Sequence, residues 1–187
     1  AALEADLRSW LAASGAAQFP RAYGLSLLAD CCVRRGAWRE ARDHIAASLD
    51  ESEAGDSLLG RTRALGLAVR LDAAQANWDA GDMALAELAE LIGDRPDGVI
   101  SSWFRGVVGF FRLSAGDPDG CAEMLVPLLR LARQGRWNEP SYVPFAADLV
   151  EAALRLGDRQ LAEETTSVLA GQVAHTGSVS AEGLLER

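Results

Sequence analysis

Val150-Glu151-Ala152-Ala153-Leu154-Arg155-Leu156-Gly157-Asp158-Arg159-Gln160-Leu161-Ala162 carries the instructions for one helical hairpin. Apolar residues recur at three- and four-residue spacing on both sides of Gly157, the signature of amphipathic helices. Gly157 can take the left-handed conformation that ends a helix, and Asp158 can accept the first free amides of the next one. Val150 lies seven positions before the glycine and Ala162 five after it. Side chains of modest size on both arms let the two helix backbones approach.

The same arrangement recurs along the chain. Gly36, Gly81, Gly116 and Gly157 each follow a long apolar stretch, and three of them precede Asp82, Asp117 or Asp158. Five positions after each stand Ala41, Ala86, Cys121 and Ala162; seven before lie Ala29, Ala74, Gly109 and Val150. The spacings between these glycines are 45, 35 and 41 residues, in the range of helix-turn-helix repeats. Helices are predicted at 2–14, 20–36, 38–52, 57–80, 83–93, 98–115, 119–135, 142–156, 159–175 and 179–186. Sustained period-two alternation, the mark of strands, is missing. The expected fold is all-α: a single domain, 1–187, of tetratricopeptide-like hairpins at about 20–52, 57–93, 98–135 and 142–175, stacked as an α-solenoid or superhelix. An irregular helical bundle is the alternative. Stacking accounts better for the period, because one amphipathic hairpin cannot bury its apolar face alone. The chain opens without Met inside one predicted helix and stops inside another, so a segment of a longer protein is expected.

Composition removes several functions. Net charge is -9, which repels nucleic-acid backbones and anionic membranes, so neither contact is expected from this segment. All 18 basic residues are Arg, which excludes a P-loop lysine, a Schiff-base lysine and a lysine general base. No apolar run reaches the ~20 residues that span a bilayer. Cys31, Cys32 and Cys121 read as reduced thiols of a cytoplasmic protein, and the adjacent pair point ~100° apart on a helix, so both cannot reach one ion.

The run Asn138-Glu139-Pro140, Pro144, Ala147-Asp148-Leu149-Val150-Glu151-Ala152-Ala153-Leu154, Leu156-Gly157-Asp158 and then Ala162 resembles the helical-repeat region of LuxR-family regulators of the large ATP-binding, MalT-like type. The similarity covers roughly 100–187, and the earlier hairpins by pattern alone. The resemblance implies a bacterial cytoplasmic transcription regulator with an ATPase module on one side and a DNA-binding helix-turn-helix on the other. It also implies that these repeats receive a small-molecule effector or a protein partner. Gly120 and Pro127 depart from the pattern inside the second helix of the third pair, where a proline removes one hydrogen bond and is expected to bend the axis.

No enzyme signature is present: no Gly-x-Ser-x-Gly, His-Glu-x-x-His, Cys-x-x-Cys or Gly-x-Gly-x-x-Gly. His44 and His175 read as solvated or capping residues, and Gly116-Asp117-Pro118-Asp119-Gly120 as a capped turn. No enzyme, cofactor or metal site is expected. Binding candidates come from the positions thirteen, nine, six and two before each glycine. These are Tyr23, Leu27, Asp30 and Arg34; Ala68, Asp72, Gln75 and Asp79; Trp103, Val107, Phe110 and Ser114; and Pro144, Asp148, Glu151 and Arg155. Three sets read as a polar wall and the third as an apolar island within it, the profile of a pocket or partner contact. Asp72, Gln75, Trp103, Val107, Phe110, Asp148 and Glu151 are the binding candidates. Self-association as a homodimer, or a role as an adaptor scaffold with no effector site, is the competing expectation. Trp38 and Trp78 read as staples of their hairpins.

Overall fold

The computed structural model describes residues 2–13, 18–93, 98–136, 138–140, 143–177 and 179–185. Its secondary structure is helical: α1 (Ala2–Ala13), α2 (Gln18–Arg34), α3 (Trp38–Ala54), α4 (Leu58–Ala74), α5 (Trp78–Ile92), α6 (Val99–Ser114), α7 (Pro118–Arg133), α8 (Ala146–Leu156), α9 (Arg159–Thr176) and α10 (Val179–Leu185). No strand occurs among the described residues. The contacts divide into two compact units, 1–94 and 95–187.

One corner geometry joins most of these helices. Gly36, Asp56, Ala76, Gly116, Gly135 and Gly157 all have positive φ, between 47° and 86°. At each, the left-handed residue's N–H donates to the carbonyl three positions back, and the next N–H donates to the carbonyl five positions back. Gly36 to Val33 with Ala37 to Cys32, and Gly157 to Leu154 with Asp158 to Ala153, are two instances. This Schellman pair satisfies carbonyls that a helix end otherwise leaves exposed.

Ala76 corrects the predicted second pair. The helix expected over 57–80 ends at Ala74, and α5 starts at Trp78. Gly81 is therefore buried inside α5, and Asp82 is an exposed helical residue, not an N-cap. Ala74 and Ala86, expected at the hairpin seam, are both exposed. Counted from Ala76, the residue seven before is Val69, which is 0 % exposed, and the residue five after is Gly81. The corners that close α2, α4, α6 and α8 now fall at 36, 76, 116 and 157, so their spacing is 40, 40 and 41. The irregular 45 and 35 came from Gly81-Asp82 imitating Gly116-Asp117, while the true corner uses an alanine that gives no glycine signal. An L-residue in this region costs ~1–2 kcal/mol, which the surrounding hairpin must offset.

In the first unit, α2 packs on α3, α3 on α4 and α4 on α5, while α2 also touches α4 and α1 covers α2. Helix α4 is buried almost all round, at Ala64, Leu65, Leu67, Val69 and Leu71, because it has neighbours on several sides. The core centres on Ala29, Cys32, Ala41, Ile45, Leu67 and Leu71. Between α2 and α3 the seam is small and polar. Buried Ser48 donates to the Ala22 carbonyl (2.7 Å), and Ser52 to that of Ser48 (2.6 Å).

The second unit repeats the scheme: α6 on α7, α7 on α8, α8 on α9, with α6 touching α8 and α10 closing on α9. Leu125, Leu128 and Leu149 are fully buried at its centre, each contributing ~1.5–3 kcal/mol by leaving water. Gly109 permits the α6–α7 approach, since a Cβ there would stand 2.5 Å from Leu125 Cδ2. Gly120 does not interrupt α7. It sits in the first turn, where its amide is capped by Asp117 Oδ1 (2.8 Å) and a Cβ would come within 2.2 Å of Asp117 Oδ2. Pro118 occupies the opening turn, where no amide is lost, and α7 continues as helix through Pro127. The start expected at 142 moves to Ala146: Val143, Pro144 and Phe145 precede the helix, and 141–142 lie outside the described residues.

Candidate functional site

Moving the second corner from Gly81 to Ala76 also moves the expected wall. On α4 the positions thirteen, nine, six and two before the corner are Arg63, Leu67, Arg70 and Ala74, not Ala68, Asp72, Gln75 and Asp79. Arg63 stacks over the ring of Tyr23, its counterpart on α2, at 5.2 Å, and its Nε donates to Ser26 Oγ (3.2 Å). Residues at matching register on α2 and α4 therefore touch.

Asp72 and Gln75 have a different place. Asp72 is 3 % exposed. Arg42 on α3 donates to Asp72 Oδ1 (2.9 Å) and to Gln75 Oε1 (2.8 Å), and Asn77 Nδ2 also reaches Asp72 Oδ1 (3.2 Å). The two candidates form a clamp that fastens α3 to the end of α4 beside the Ala76 corner.

In the second unit Trp103 and Val107 are buried, at 8 % and 1 % exposure, and Phe110 is half-buried. Of the apolar island's three large apolar side chains, Phe110 keeps the most open surface, and Ser114 is exposed. Gly106, on the same helix, faces the Val143–Pro144 backbone closely enough that a Cβ would contact the Pro144 carbonyl at 3.5 Å. Asp148 is half-buried, and its backbone carbonyl receives the Cys121 thiol (3.9 Å). Burial, reinforced by the carboxylates of Asp148, Asp117 and Glu151, pushes the Cys121 thiol up to about 12. Glu151 is exposed and pairs with Arg155, whose Nη1 donates to the Leu113 carbonyl (3.3 Å). Arg155 thereby ties the end of α8 to the end of α6. The structure brings Asp148, Glu151 and Arg155 onto one helix face, as their spacing predicts.

A cleft of about 390 Å³ opens elsewhere in the second unit, beside α7 and α9. Arg133, Asn138, Ser167, Gly171, Gln172 and His175 are among its lining residues. His175 is exposed in the last turn of α9. His44, expected to be solvated or capping, is instead half-buried in the middle of α3, and burial lowers its pKa.

His44 also belongs to a cluster that the sequence reading passed over. Its imidazole, the Cys32 thiol and the Glu40 carboxylate have donor atoms within 4.8 Å of one another. Glu40 and His44 are one turn apart on α3, a visible i,i+4 signal, but the link to Cys32 on α2 exists only through the hairpin. The thiol donates to Glu40 Oε2 (3.8 Å), while Arg35 Nη2 reaches both that oxygen (2.5 Å) and the sulfur (3.6 Å). Burial pushes the Cys32 thiol up, and the Arg35 charge opposes that rise.

No family model matches the chain, and no curated protein matches it.

Proposed function

We propose that this chain is a tetratricopeptide-like array of hairpins serving as the sensor or interaction region of a bacterial LuxR-family, MalT-like transcription regulator. The observation that carries the array reading is the recurrence of one corner at 36, 76, 116 and 157, each with a left-handed residue. Near-constant spacing with first-helix contacts, α2 to α4 and α6 to α8, is what stacked hairpins require. The regulator reading rests on Asn138–Ala162, the stretch that resembles that family. In this reading the segment is cytoplasmic and both units are built of such repeats. It takes a small-molecule effector or a protein partner and passes that state to flanking ATPase and helix-turn-helix modules. A ligand with different affinity for two arrangements of the hairpins is sufficient for such transmission. Gln75, Phe110, Asp148 and Glu151 are the candidates that keep surface available for contact, whereas buried Asp72 holds the scaffold.

The test is the reading frame on either side of this segment. The proposal expects an upstream Gly-x-x-x-x-Gly-Lys-Ser/Thr loop and a downstream helix-turn-helix; a frame with neither overturns the regulator assignment.

Self-association is the second reading, favoured by large apolar side chains left in solvent. Leu154 and Leu156 at the end of α8 are 59 % and 39 % exposed, and Met83 on α5 is 75 % exposed. Light scattering over a range of concentrations decides it: a mass that stays monomeric removes this reading.

A further inference from the structure

We propose that Cys32, Glu40 and His44 form a binding site for a zinc-class divalent transition ion, with thiolate, carboxylate and imidazole as ligands and a fourth position open to water. The donor set is the first argument. A sulfur, a nitrogen and an oxygen donor together suit zinc and its first-row neighbours, whereas magnesium and calcium select oxygen alone.

Geometry is the second. A tetrahedral shell with bonds of ~2.0–2.3 Å places its donors roughly 3.5 Å apart. Donor atoms that already lie within 4.8 Å need about 1 Å of side-chain rotation to close on an ion. Cys32 is fixed by the α2 core and is 0 % exposed, while Glu40 and His44 share a face of α3 one turn apart. His44 supplies a ring nitrogen, the commonest protein donor to such ions.

Two guanidinium groups stand in the way, and the structure gives them an alternative partner. Arg35 and Arg8 both reach Glu40 Oε2, at 2.5 and 3.5 Å. Both also pair with Glu4 on α1, Arg8 at 2.9 Å and Arg35 at 2.8 Å. When Glu40 turns to the ion, Glu4 keeps both cations paired. On binding, the Cys32 S–H bond breaks, the sulfur–metal bond forms, and the proton leaves to solvent, so one proton is released per ion.

The experiment is a cobalt(II) titration of the untagged chain, followed by absorbance and by proton release. The expected result is saturation at one ion per chain with one proton released. A sulfur-to-cobalt charge-transfer band should appear in the near ultraviolet beside the visible bands of a four-coordinate ion. Cys32→Ser should abolish the charge-transfer band, and Glu40→Gln and His44→Ala should each weaken binding at least ~10-fold. Arg35→Ala removes a competitor for two of the ligands and should tighten binding; circular dichroism confirms that each variant stays helical. Cobalt bound without the near-ultraviolet band overturns the site, as does Cys32→Ser titrating like the parent chain, or Arg35→Ala binding more weakly.

Discussion

Ala76→Gly separates two readings of the first unit by the sign of its effect. Ala76 has φ +56° and closes the corner between α4 and α5 with N–H bonds from Ala76 to Ala73 O (3.1 Å) and from Asn77 to Asp72 O (2.8 Å). Relief of the left-handed alanine is worth ~1–2 kcal/mol. Against this, glycine increases the conformational freedom of the unfolded chain by ~0.4–1 kcal/mol. The difference predicts a gain of about 0.5–1 kcal/mol. Were residue 76 instead inside a helix running over 57–80, the same change would lose ~1 kcal/mol, the glycine penalty in a helix interior. Urea denaturation followed by circular dichroism, with equal slopes for variant and parent, measures the change. A lower midpoint for Ala76→Gly refutes the corner and the 40-residue register built on it.

Asp158→Ala should cost ~1 kcal/mol, because its Oδ1 accepts the Leu161 amide (2.9 Å), while Asp82→Ala, exposed within α5, should stay within ~0.5 kcal/mol of the parent; urea midpoints compare the two. Gly109→Ala should destabilise by ~1–3 kcal/mol in the same assay, since the new methyl would stand 2.5–3.0 Å from three carbons of Leu125. Arg42→Ala should cost ~1.5–3 kcal/mol, because it strands the buried Asp72 carboxylate, and Asp72→Ala only about 1 kcal/mol, because the half-exposed guanidinium it leaves returns to water. The Cys121 pKa is raised on folding, so the stability it contributes is present below the unfolded thiol value of ~8.5 and is lost as pH rises toward about 12. Thiol-reactive dye at pH 8 should therefore label half-exposed Cys31 and leave Cys121 untouched until urea unfolds the chain; labelling of Cys121 at the native rate of Cys31 would contradict this.

The ten helices among the described residues were legible because alanine, leucine, arginine and glutamate repeat at three- and four-residue spacing and because Gly36, Gly116 and Gly157 announce their corners. Ala76 was not legible. A left-handed alanine is tolerated here through hydrogen bonds and packing supplied by the rest of the hairpin, and Gly81-Asp82 five residues on imitates a corner locally. That one displacement put Asp72 on a solvated face beside Gln75; Gln75 is exposed, but Asp72 is a buried carboxylate clamped by Arg42, which can be recognised only once α3 and α4 are adjacent. Pro144 likewise marked the approach to α8 without marking its start, because Phe145 follows it before the helix begins. Trp103 and Val107 read as an apolar island since their own helix shows where they point but not what covers them. Glu40 and His44 are paired by spacing alone; Cys32 joins them through the Gly36 corner.

Backbone NMR of the uniformly labelled chain tests the recurring corner most directly. Helical Cα shifts over 58–74 and 78–92 are expected, with a left-handed Ala76 and protected Gly36, Ala76, Gly116 and Gly157 amides, each bonded three residues back. Unbroken helical shifts from 57 to 80, with the break at Gly81, would contradict it.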